Sequence, residues 1–200
     1  TNFDANWGGG IQNVFCPATE DFVGFYPNSE REVQSLIDFT LKTRPSITIS
    51  YHTKGNVIYY GFEGESEENI IRDQSIGESF SELTGYPLIF TENSTGGYKD
   101  WCIQKLTIPS YTFEVGDENL SHPIGVENLP EIYNRNKDIP LLALQKAIEY
   151  SKQIDFQNSF VQNINREVKT NGSNEESYCA RLFSKLNRRS THRRDNYTRW

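Results

Sequence analysis

The chain has 200 residues, 36% hydrophobic and 13% aromatic, which is enough for one domain with a proper core. No apolar run approaches the ~18 residues a membrane helix needs. The formal net charge of −7 is unevenly spread: residues 151–200 hold 10 Lys+Arg against 5 Asp+Glu, leaving 10 basic and 22 acidic residues in 1–150. An acidic body of this kind argues against a nucleic-acid binder, and the composition shift places an expected boundary near residue 155. Cys16, Cys102 and Cys179 form neither a disulfide framework nor a CxxC pair. Scattered thiols in odd number lean towards a reducing compartment, the cytoplasm. The chain begins at Thr1 and contains no methionine, so residues are expected to precede it, and the lack of a targeting segment carries little weight.

In chain order, Thr1 to Trp7 followed by Gly8-Gly9-Gly10 reads as a strand end running into a loop. Ser29-Glu30-Arg31-Glu32 has the spacing of a capping box. Val33, Leu36, Ile37 and Leu41 then share a helical face, and Pro45 stops the helix. Ile47 and Ile49 alternate in a β-branched run that ends at His52, followed by a Lys54-Gly55-Asn56 turn and a second apolar run, Val57 to Tyr60. His52 thus falls just past a strand's C-terminal end, where open α/β sheets collect ligands; a histidine that merely ends a strand gives the same pattern.

Ser66 to Thr84 reads as a helix, with Glu67 and Glu68 at its positive end and Ile76, Phe80 and Leu83 as its apolar stripe. Gly85-Tyr86-Pro87 ends it. Leu88-Ile89-Phe90 is a short strand, and Thr91 to Gly97 a polar loop opening onto a short helix that contains Lys99, Asp100 and Trp101. Thr107 to Asp117 is a further strand run carrying Ile108, Tyr111, Phe113 and Val115, with Glu114 embedded near its end. A glutamate there is costly unless it is paired or faces a polar cleft. His122-Pro123 sits in a loop and is not read as a ligand. Residues 133–138 are polar, and Asp138 caps a helix in which Leu141, Leu144, Ala147 and Ile148 share a face, with Pro140 in its first turn. Beyond it, Asn171 to Asn174 breaks the pattern and Asn187 to Arg194 is a basic run. Such runs are mostly solvated, disordered tails; binding to nucleic acid or an anionic surface, and a fused or wrongly translated segment, are the other readings.

A strand ending in histidine, a Gly96-Gly97-x-x-Asp100-Trp101 turn and then Thr112-Phe113-Glu114, in this order, resembles the zinc carboxypeptidase family. SYHTKGNVIYYGF and GGYKDWCI are most similar to its bacterial branch that cleaves γ-D-glutamyl-diamino acid bonds in cell-wall peptides. The resemblance implies an α/β fold, a mixed central sheet with helices on both faces, here lacking its first strands. It implies a partial catalytic domain over 1–154 and a basic, disordered or extraneous tail over 155–200.

The resemblance also implies a Zn2+ cofactor, with His52 as a metal ligand and Glu114 as general base. A catalytic peptidase zinc takes three protein ligands and leaves a position open for water, and a neighbouring carboxylate removes that water's proton. The family's other two ligands come from a His-x-x-Glu motif, which occurs nowhere in these residues. The expected partners are therefore a peptide substrate, a cell-wall peptide by the bacterial similarity, and the missing N-terminal part of the same domain. The chain by itself is expected to be inactive. Asn2-Phe3 matches half of a motif that holds the substrate's terminal carboxylate, with Thr1 where an arginine would stand; this departs from ordinary exopeptidase recognition. A general metallocarboxypeptidase and a non-catalytic remnant are the alternative functions. Lys99 and Asp100 fall where the family reads the leaving-group side chain, and a lysine there would favour a carboxylate such as that of diaminopimelate. A snorkelling surface lysine is the alternative for Lys99. No residue of 91–97 supplies the tyrosine that the family carries on this loop.

Overall fold

A computed structural model describes the backbone of residues 1–170 and the side chains of residues 1–154, 159, 161 and 162. The chain divides into two units, Thr1–Ile148 and Glu149–Trp200. In the first, helix α1 (Arg31–Thr43) leads into strands β1 (Thr48–His52) and β2 (Val57–Tyr60). Helix α2 (Glu67–Thr84), strand β3 (Leu88–Phe90), helix α3 (Tyr98–Leu106) and strand β4 (Ser110–Glu114) follow, then α4 (Leu129–Asn136) and the start of α5 (Ile139–Thr170). The described part of the second unit, 149–170, is helical. The sequence boundary expected at 154 falls within α5, and the basic run 187–194 lies outside the described residues.

The four strands form one mixed sheet in the order β1-β4-β2-β3. Strand β4 runs parallel to β1 and antiparallel to β2, and β3 runs parallel to β2. Side chains alternate across a pleated sheet, so each strand divides its residues between two faces. Ile49, Tyr111, Phe113, Ile58, Tyr60, Leu88 and Phe90 point to one face and build a core with Ile76 and Phe80 of α2 and with Ile132, Ile139, Leu142 and Ala143. The second face is polar over β1 and β4. Its N-terminal end is covered by α3, which packs on both strands, and Trp101, Cys102 and Ile103 join Phe3, Ala5, Phe62, Val33 and Ile37 in a second core. Helices therefore flank both faces, as expected.

Several local expectations change. The Ser29–Glu32 capping box does not form: Glu30 is the N-cap of α1 and makes no side-chain cap bond. The Ser29 hydroxyl instead donates to Glu30 Oε1 (2.7 Å) and accepts from Asn2 Nδ2 (3.2 Å). On α1, Val33 and Ile37 pack inward while Leu36 and Leu41 are exposed. On α5 the core takes Ile139, Leu142 and Ala143, and the expected face of Leu141, Leu144 and Ile148 is exposed. Helix α4 occupies the stretch read as merely polar. Helix α2 keeps its expected ends, with Ser66 Oγ accepting from Asn69 N–H (3.3 Å) and Gly85 at φ +69°, but of its expected stripe only Ile76 and Phe80 are buried and Leu83 is exposed.

Candidate active site

Strand β1 carries Thr48, Ser50 and His52 on the polar face, and β4 carries Ser110, Thr112 and Glu114 beside them. Thr48 and Ser110, under α3, are buried and bonded to each other, Oγ1 donating to Oγ at 2.7 Å. Further along the strands α3 no longer covers the face. Ser50, Thr112 and Glu114 are half-buried, as is Tyr59 of β2, and His52 is exposed. This open end of the face is where His52 and Glu114 meet. They are register partners across the parallel β1–β4 pair, and the Val115 N–H donates to the His52 carbonyl (2.8 Å). Parallel in-register residues point to the same side, so both side chains lie on one face of the sheet.

The surrounding backbone fixes this pair. The N–H groups of Gly55 and Asn56 both donate to the Gly116 carbonyl (2.8 and 3.1 Å). The Lys54 ammonium donates to the Leu120 carbonyl, stapling the turn after His52 to the loop after Glu114. The Thr53–Lys54 peptide is cis. Burial raises the Glu114 carboxyl above the usual carboxylate range, and the nearby charge of His52 pulls it back down.

Lys99 and Asp100 sit elsewhere. Both are buried, and Lys99 Nζ donates to Asp100 Oδ1 and to the Gly61 carbonyl, each at 2.6 Å. Asp100 Oδ2 accepts from Ser94 Oγ (2.7 Å) and from the Gly97 N–H (3.1 Å). Gly61 follows the end of β2 opposite Val57, the residue beside Glu114, a separation of roughly 13 Å along the strand. Lys99 is thus no snorkelling surface residue, and its charge is already matched by Asp100. Asn2 is also buried and committed: its Nδ2 donates to the Val23 carbonyl (2.7 Å), the Tyr26 carbonyl (3.0 Å) and Ser29, and its Oδ1 accepts from the Glu30 N–H (3.0 Å). It ties residues 23–30 to the N-terminal segment, which the structure does not bring to His52. Ser50, Thr112 and Tyr59 were missed as cleft residues. For Ser50 and Thr112 the signal was the i, i+2 spacing of polar residues ending at His52 and at Glu114; Tyr59 carried none.

Among the described residues no group of three or more His, Cys, Asp or Glu converges as a metal site. No described helix is long and apolar enough to cross a membrane.

Gamma-D-glutamyl-L-diamino acid endopeptidase 1 of Lysinibacillus sphaericus is 33% identical over 144 residues, 71% of this chain and 35% of that protein. The uncharacterized protein YqgT of Bacillus subtilis (strain 168) is 30% identical over 132 residues, 64% of this chain and 34% of its own length. The chain spans about a third of the length of these curated relatives. Carboxypeptidase A from Helicoverpa armigera shares the fold with a TM-score of 0.58 at 21% identity, over 76% of this chain and 42% of that one. The profile of the family described as zinc carboxypeptidase matches residues 1–138. With a mixed sheet that places a histidine and a glutamate on one open face, the chain belongs to the zinc carboxypeptidase family.

Proposed function

We propose that this chain contributes Glu114 and His52 to a zinc peptidase centre that hydrolyses an amide bond, with γ-D-glutamyl-diaminopimelate in peptidoglycan peptides as the substrate. The observation that carries this reading is the His52–Glu114 register pair on an open sheet face. Glu114 acts as the general base, taking a proton from the attacking water; a carboxyl raised by burial is better matched to that task near neutral pH than an ordinary one. His52 is one zinc ligand, and bound zinc supplies Lewis acidity. The remaining ligands come from outside the described residues, since these supply no group of three. The cell-wall substrate rests on the similarity to the Lysinibacillus endopeptidase. In the same reading Lys99 and Asp100 stand as a neutralised interior pair and Asn2 as a tie between residues 23–30 and the N-terminal segment.

The test is metal analysis and hydrolysis, using the chain alone and the chain joined to an upstream segment bearing His-x-x-Glu. The expected result is weak zinc binding and no hydrolysis alone, then stoichiometric zinc and cleavage of a γ-D-glutamyl-diaminopimelate muropeptide in preference to a plain dipeptide. Stoichiometric tight zinc in the isolated chain would refute the shared ligand set. Preference for the dipeptide would instead point to a general metallocarboxypeptidase. The absence of a ligand triad among the described residues also favours a second reading, a non-catalytic remnant; a joined chain that binds no zinc would establish it.

A further inference from the structure

Away from the cleft, two carboxyl groups lie buried beside one guanidinium where β2 passes into α2. The side chains of Glu65 and Asp73 are 3% and 0% exposed and that of Arg72 is 10%. Arg72 Nε lies 2.6 Å from Asp73 Oδ1, while Arg72 Nη2 reaches Glu65 Oε1 only at 3.9 Å. Glu65 Oε1, Glu65 Oε2 and Asp73 Oδ2 are buried with no hydrogen-bond partner among the described residues. Buried carboxylate oxygens left this way are expensive. Two ionised carboxylates at one site repel, and such pairs resolve the conflict by keeping a proton. The structure points to one: we propose that Glu65 and Asp73 together bind a single proton in the folded chain and lose it as pH rises, making residues 61–73 a pH-sensitive joint.

The proton resides on Glu65, because Asp73 holds the short bond to Arg72 and is the better anion. The groups facing the pair come from every packed element. Strand β2 presents the Tyr60 hydroxyl, on which Glu78 of α2 also acts, β4 presents Tyr111, α2 presents Arg72, and Lys99 of α3 acts on Asp73. Tyr111 donates to the Asp73 backbone carbonyl (2.7 Å), fixing that turn of α2 against the sheet. Burial pushes the Glu65 carboxyl up to about 7, and the negative charge of Asp73 adds to this while Arg72 opposes it. Burial likewise raises Asp73, against the pull of Arg72. When Glu65 ionises, solvation draws it out of the interior. The strain falls on the 61–66 connection, where the Glu65 N–H bonds to the Phe62 carbonyl (3.2 Å) and the Gly61 carbonyl anchors Lys99.

Because Glu65 is raised, the folded chain keeps a proton that the unfolded chain has lost between about pH 4.5 and 7. Its stabilising effect is complete below that window and disappears as pH climbs through it. The unfolding constant of the wild-type chain should rise by on the order of 100-fold more between pH 5 and pH 8 than that of Glu65→Gln, which retains the shape and cannot ionise. Urea unfolding of the full chain at both pH values measures this. A difference below about 3-fold would overturn the proposal. Infrared spectroscopy provides a second readout at pH 6, where a protonated carboxyl band should persist in Glu114→Gln and vanish in Glu114→Gln/Glu65→Gln. If Glu65→Gln does not fold, the Glu114→Gln spectrum decides alone: no protonated carboxyl band in the folded chain overturns the proposal.

Discussion

Truncating Asp100 to alanine should be strongly destabilising. The wild-type carboxylate is fully buried and accepts three bonds, from Lys99 Nζ, Ser94 Oγ and the Gly97 N–H. Removing it leaves a buried ammonium facing the Gly61 carbonyl and strips the Gly97 N–H, at the N-cap of α3, of its acceptor. Breaking a buried ion pair from one side costs about 3–5 kcal/mol. With a slope near ~2 kcal/mol per molar urea, the midpoint should fall by roughly 2 M. Lys99→Met on its own leaves a carboxylate that still accepts two bonds at a helix N-terminus, so it should cost less. In Lys99→Met/Asp100→Asn neither charge remains, and the amide can still accept from Gly97 or Ser94. The cycle built from Lys99→Met and Asp100→Asn should therefore be non-additive by about 2 kcal/mol in favour of the double variant. The assay is equilibrium urea unfolding of all variants at one pH. An Asp100→Ala loss below about 1 kcal/mol, or an additive cycle, would refute the account. The pair would then be solvated, and Lys99 would be available to meet a substrate carboxylate.

Other outcomes follow from packing and charge. Phe80 is fully buried against Tyr111 and Phe113, so Phe80→Ala should lose about 3–5 kcal/mol in the same unfolding assay. Gly77 lies where α2 crosses the sheet, and an added Cβ would stand 2.8 Å from Leu88 Cδ1 and 3.1 Å from Tyr111 Cε1. Gly77→Ala should destabilise by about 1–3 kcal/mol from overpacking, offset by about 1 kcal/mol of helix propensity; Leu88→Ala should recover part of the loss. Asn2→Ala removes the side chain that joins the Val23 and Tyr26 carbonyls to the Glu30 N–H. It should cost about 2–3 kcal/mol and speed hydrogen exchange in residues 23–30. Glu114 is raised by burial, so its contribution to stability also falls as pH rises above its unfolded value; Glu114→Gln should flatten that part of the pH profile in unfolding at pH 5 and pH 8.

Much of the chain could be read locally. The β-branched alternation of Ile47 and Ile49 located β1, and the Ser66 cap with the Gly85 stop bracketed α2, because these signals act within a few residues of backbone. His52 and Glu114 were legible as strand ends for the same reason. That they meet was decided by the tertiary structure: a parallel β1–β4 register joins segments 62 residues apart, and no local period encodes it. The fate of the polar residues was likewise non-local. Lys99 is interior because Asp100 and a carbonyl 38 positions away accept its charge, and Asn2 is a tie because residues 23–30 fold over it. Glu65 and Asp73 carry no local signal of burial, yet the packing of β2, β4 and α2 takes them out of water. Periodicity fixes which way a side chain points from its own element; only the neighbouring elements decide whether that direction leads to solvent, to a partner or to an open cleft.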